Sequence, residues 1–112
     1  MIVIKNDIIP FKGYAAVTIW PFIFVREGYA KDDPAKYGVM LNHERIHGSQ
    51  QLEMLVVFFF LWYFFEWIYR SIQYKSWHKG YRNISFEREA YAHECEEGYL
   101  ESRKLYSWFR YL

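Results

Sequence analysis

Residues 33–54 read DPAKYGVMLNHERIHGSQQLEM, and the fold turns on whether this stretch is helical. Asp33 followed by Pro34 is a strong helix start. An N-cap side chain is followed by a proline whose missing N–H costs nothing at the first helical position. No further proline occurs before about Ser71, and Gly38 and Gly48 are the only glycines over that length. The expectation is one long helix, or two broken near Gly48. Inside it, His43-Glu44-Arg45-Ile46-His47 reads HExxH. Helical residues four apart lie one above the other, so both imidazoles can reach a single metal ion. Glu44, roughly 100° further round, can touch a water on that metal. Two nitrogen ligands and a carboxylate base are what a zinc hydrolase uses. The competing reading is a helix with two ordinary histidines and a surface glutamate. A chance HExxH is expected in roughly one chain in a hundred of this composition.

Working outward, residues 54–65 form an unbroken apolar run, MLVVFFFLWYFF, followed by Glu66 and then Trp67-Ile68-Tyr69. A helix apolar all round must be buried in protein, in a partner or in lipid. Twelve residues span about 18 Å, short of the roughly 30 Å hydrocarbon core. A central buried helix is therefore expected first, and a membrane-inserted or interfacial one second. Upstream, Ile2 to Ile4 and Ala15 to Val25 are β-branched and aromatic, with a turn expected near Lys12-Gly13 and an edge or bend at Pro21. Downstream, residues 71–84 read as a loop punctuated by Gly80. Ser85 then reads as an N-cap, with Glu87 and Glu89 suiting the helix dipole. That helix should run through Ala92 and Glu94 and continue past Gly98, or restart there toward Tyr106. The class expected is α+β, mostly α: an N-terminal β-hairpin or small sheet, a long central HExxH helix, and a second helix carrying a glutamate, in one domain spanning 1–112.

Composition narrows the function classes. A net charge of +1 gives no field arguing for nucleic acid, and no basic run interleaves with the aromatics as a strand-binding groove requires. The single Cys95 excludes an internal disulfide and fits a reducing compartment. Flanked by Glu94, Glu96 and Glu97, it is expected to be a packed thiol rather than a nucleophile. No secretory signal is visible at the N-terminus, so a cytoplasmic or membrane-associated location is expected.

Catalytic zinc wants three protein ligands and an open position. The candidates for the third lie in residues 86–94, FEREAYAHE. On a helix, Tyr91 and Glu94 share the face of Glu87, with Ala90 alongside and Glu89 opposite. A ligand at Glu87 brings Glu94 close enough to accept the free N–H of a histidine, whereas a ligand at Glu89 brings His93 and Glu96. Geometry leaves both open. Gln50 and Gln51 continue the face of His43 and His47 and could bond to the site. Glu66 is expected to reach Arg70 one turn on, or to lie at the rim. Donors for a developing oxyanion are Tyr91, Tyr81, His78 and His93, with Tyr91 first because it shares the Glu87 face.

The pair of motifs, His43 to His47 and Glu87-Arg88-Glu89-Ala90, resembles the gluzincin zinc metallopeptidases, above all their prenyl-protease-like and minimal single-domain branches. There an HExxH helix is followed by a helix whose ligand glutamate begins a Glu-x-x-Ala pattern. The resemblance covers these two motifs and the order of elements. It implies Zn2+ held by His43, His47 and Glu87, Glu44 as general base, and a peptide or protein substrate. The chain departs from the pattern in the length between His47 and Glu87, about forty residues, and in Tyr91, where many relatives carry an aspartate. A strand at a sheet edge above the metal would hold an extended substrate by β-augmentation. The alternative class is a non-catalytic metal-binding or interaction protein whose helix 54–69, with Trp62, Tyr63, Trp67 and Tyr69 near its end, contacts a membrane or a partner protein.

Overall fold

Asp33 caps the long helix α1, Pro34–Glu53, its side chain accepting the Lys36 N–H at 3.1 Å. The computed structural model describes residues 1–9 and 14–112; Pro10 and the turn expected at Lys12-Gly13 lie outside them. Ahead of α1 stand three strands, β1 (Ile2–Asn6), β2 (Ala16–Ile19) and β3 (Phe22–Arg26). The fold is α+β, as expected.

The sheet order is β1-β3-β2, with β1 parallel and β2 antiparallel to β3. Pro21 divides the Ala15–Val25 run into a hairpin across a cis Trp20-Pro21 bond. β2 is therefore an edge strand, and it packs on α1. Ile23 and Val25 from β3 form a small core with Met40 of α1.

α1 runs straight through Gly48, correcting the expected break there. Gly48 instead leaves room for Met1, whose Sδ would lie 2.6 Å from a β-carbon at this position. The chain breaks at Met54–Val56, where Leu55 and Val56 both adopt left-handed φ values of 54° and 59°. Beyond it α2, Val57–Tyr74, departs at 111° from α1. Neither Leu55 nor Val56 is a residue that favours this conformation, so no local signal marks the bend.

The bend changes the fate of the apolar run. Only Phe59, Glu66 and Ser71 of α2 are buried, so the expectation of a central buried helix is corrected. One stripe packs inward, where Phe59 joins Ile84, Phe86 and Trp108 in the second core. The opposite side, with Phe58, Leu61, Phe65, Tyr69 and Ile72, is exposed.

Residues 71–84 are not a loop. α2 extends to Tyr74, and α3, Trp77–Arg82, folds back along it behind a Ser76 N-cap. Gly80 permits this close approach, since a β-carbon there would meet Ser71 N and Cα at 2.6 Å. α4, Ser85–His93, follows. Ser85 is its first residue rather than its cap. Its N–H and hydroxyl donate to Glu66 of α2 at 2.6 and 2.5 Å, so a distant carboxylate satisfies this helix start. Glu66 also pairs with Arg70, as expected. The chain restarts after Gly98 as α5, Tyr99–Ser102, and ends in a 3-10 turn, Ser107–Tyr111. Cys95 is exposed rather than packed.

Candidate metal centre

Helical periodicity places His43 and His47 on one face of α1, and both are buried. Their Nε2 atoms lie 3.2 Å apart. α4 crosses this face and brings Glu87 Oε1 to 3.1 Å from each of them. Glu44 is buried beside them, and ligand atoms of His43, Glu44 and His47 all fall within 4.8 Å of one another. Among the described residues, this buried His-Glu-His group is the cluster that could hold a metal ion.

The opposite sides of the rings explain why the Nε2 atoms point inward. His43 Nδ1 is 2.7 Å from Glu94 Oε2, an acceptor. His47 Nδ1 is 2.8 Å from Gln50 Oε1. The Gln50 amide is fixed in that sense because its Nε2 donates to Phe86 O and to Glu89 Oε1. Each imidazole therefore donates through Nδ1–H and turns its Nε2 toward Glu87. With no ion bound, a proton on His47 Nε2 is donated to Glu87; once it leaves, three lone pairs converge on one point. Such a cluster requires positive charge, and a proton on one ring bridges only part of the triangle. Ligand atoms about 2.0–2.1 Å from a tetrahedral ion stand roughly 3.3 Å apart, close to the separations found here. The donor set fits a divalent cation.

The acid–base properties follow from the same geometry. Burial would lower the His47 imidazole, but the charge of Glu87, its hydrogen bond and the charge of Glu44 raise it to about 9. Burial would raise Glu87, yet the two imidazoles outweigh it and hold the carboxyl far below its usual range. Glu44 goes the other way: burial lifts its carboxyl above the usual value despite His47 and His43. Thr18 of β2 places its hydroxyl 2.9 Å from both Glu44 O and Glu44 Oε1, tying the edge strand to the helix.

Two of these residues escaped the sequence. Tyr63 of α2 donates its hydroxyl to Glu87 Oε2 at 2.8 Å. It lies in the apolar run and reaches Glu87 only because α2 bends back. Arg103 bonds Glu89 and Glu53 together in the interior. Glu89, the rival third ligand, is thus engaged by Arg103, Tyr99 and Gln50, and is joined to His47 only through Gln50.

A cavity of about 540 Å³ opens beside the cluster, and Glu44, His47 and Glu87 line it. Aromatic rings form much of its wall, including Phe59, Tyr63, Trp67 and Trp77. Of the candidate oxyanion donors, Tyr81 and His78 line this cavity. Tyr91 packs its ring 4.5 Å from that of His43, and its hydroxyl lies 3.2 Å from that of Tyr81. His93 is stacked on Tyr99 and bonded to Tyr111.

At the edge strand, Gln51 uses both ends of its amide. It donates to Thr18 O at 2.7 Å and accepts Trp20 N–H at 2.7 Å. The neighbouring Ala15 O instead accepts from Arg26 on β3. By strand alternation, the backbone N–H and C=O of Ala16 face away from β3, toward the cavity side of the edge.

No protein-family model, no curated protein and no solved structure matches this chain.

Proposed function

We propose that this chain is a zinc-dependent peptidase of the gluzincin kind, with His43, His47 and Glu87 as metal ligands. The observation that carries the reading is the 3.1–3.2 Å triangle of His43 Nε2, His47 Nε2 and Glu87 Oε1, closed on a helix that also presents Glu44. Bound there, zinc would acidify a water to a pKa near 7 and polarise a substrate carbonyl.

The chain's own groups supply the rest. Glu44, with its raised pKa, takes the proton of the attacking water and returns it to the leaving amine. Thr18 holds that carboxylate by one oxygen, leaving the other to act. Glu94 and Gln50 keep both histidines in the tautomer that points Nε2 inward. An extended peptide pairs with the outward backbone groups of Ala16, and Gln51 terminates that edge. Tyr81 donates to the developing oxyanion from the cavity wall. Burial and the Glu87 charge raise its pKa and keep it protonated, and Tyr91 positions it. The aromatic wall favours bulky apolar side chains next to the scissile bond.

The test is metal content together with hydrolysis of a peptide library. Wild type should hold about one zinc per chain, and Glu87→Ala should lose it. Glu44→Gln should keep the zinc and lose hydrolysis. Zinc retained by Glu87→Ala overturns the ligand assignment. A wild type that holds zinc and cleaves nothing belongs to the non-catalytic metal-binding class.

A further inference from the structure

We infer that the outer face of α2, with the cationic segment that follows it, docks on an anionic lipid bilayer. This does not depend on the metal site or on peptidase activity. A surface helix ordinarily turns polar residues outward. On α2 the outward stripe is Phe58, Leu61, Phe65, Tyr69 and Ile72, each at least half exposed. Leu55, in the break before the helix, is 71 % exposed and extends the stripe. All but Ile72 line a groove of about 700 Å³, largely apolar, to which Leu112, Glu53, Glu66 and Arg70 also contribute. Apolar surface on this scale, left in water, calls for an occupant.

Charge chooses between occupants. Residues 67–86 contain Arg70, Lys75, Lys79 and Arg82 and no acidic residue, although the whole chain is nearly neutral. All thirteen acidic residues fall elsewhere. Lys75, three residues past Ile72, and Lys79 are exposed on the α2–α3 hairpin, while Arg82 lies over the Tyr91 ring. Trp62, Tyr69 and Trp77 are exposed on the same two helices, amphipathic rings of the kind that favour the headgroup level. Anionic headgroups complement that charge, and acyl chains complement the stripe. A crossing is not required: no single helix among the described residues is long and apolar enough to span a membrane. The helix lies in the interface, with the cavity rim formed by Phe60 and Trp77 beside it.

The experiment is flotation of the intact protein with phosphatidylcholine vesicles, with and without phosphatidylglycerol. Circular dichroism checks the fold of each variant. The protein should float with the anionic vesicles only, and less as salt rises. Phe58→Ser/Phe65→Ser, both at exposed positions, should weaken binding at least tenfold. Lys75→Glu/Lys79→Glu should weaken it roughly tenfold and remove the preference for anionic lipid. No flotation with either vesicle overturns the inference, as does flotation unchanged in Phe58→Ser/Phe65→Ser. A dimer that Phe58→Ser/Phe65→Ser dissociates, with no vesicle binding, shows that the face meets a second copy instead.

Discussion

Glu87 Oε1 stands 3.1 Å from His47 Nε2 although forty positions separate the two residues in the chain. The intervening chain makes a bent excursion through α2 and α3 before returning. What it returns with is a buried carboxylate supported from its far side by Tyr63.

Tyr63→Phe should separate metal affinity from folding. The hydroxyl donates to Glu87 Oε2 at 2.8 Å, the oxygen opposite the one that faces the two histidines. Its loss should weaken zinc binding by roughly tenfold or more, with the fold kept. Competition with a chelator reads this directly, and unchanged affinity would remove Tyr63 from the site's support.

Arg103→Met should strongly destabilise the protein. The side chains of Arg103 and its partners Glu53 and Glu89 are each no more than 4 % exposed. Removing the guanidinium leaves two buried carboxylates uncompensated, a loss of about 3–5 kcal/mol. Urea unfolding measures it. A loss under about 1 kcal/mol would mean that these charges are solvated in solution.

Acid should weaken the fold through the same network. Burial by itself would raise Glu89, but hydrogen bonds from Arg103, Tyr99 and Gln50 outweigh it and hold its carboxyl below the ordinary 4.5. The unfolded chain therefore binds a proton that the folded chain refuses. This stability is complete above about 4.5 and drains away as pH falls toward the lower folded value. Glu87 acts in the same direction. The urea midpoint should fall steadily as pH drops below about 4.5, and a flat profile would contradict the arrangement.

Gly80→Ala tests the α2–α3 hairpin. The added methyl would meet the backbone of Ser71 at 2.6 Å, where no side-chain rotation can relieve it. A loss of about 3 kcal/mol or more is expected, visible as a lower thermal midpoint. Wild-type stability would show that the two helices stand further apart.

The sequence determined the elements whose cause is local. Asp33-Pro34 set where α1 begins, and helical repeat alone put both imidazoles on one face with Gln50 behind them. The same repeat placed Glu94 on the face of Glu87, where it meets His43. Tertiary structure alone decided that α1 breaks after Glu53 rather than at Gly48, because left-handed Leu55 and Val56 contradict their own preferences. It decided that the apolar run stays largely uncovered, that Glu66 starts α4, and that Tyr63 and Arg103 join the interior around the site. Periodicity says which side of a coil a residue occupies. Which other coil arrives at that side depends on burial and charge pairing between segments far apart in the chain, and no local pattern carries that information.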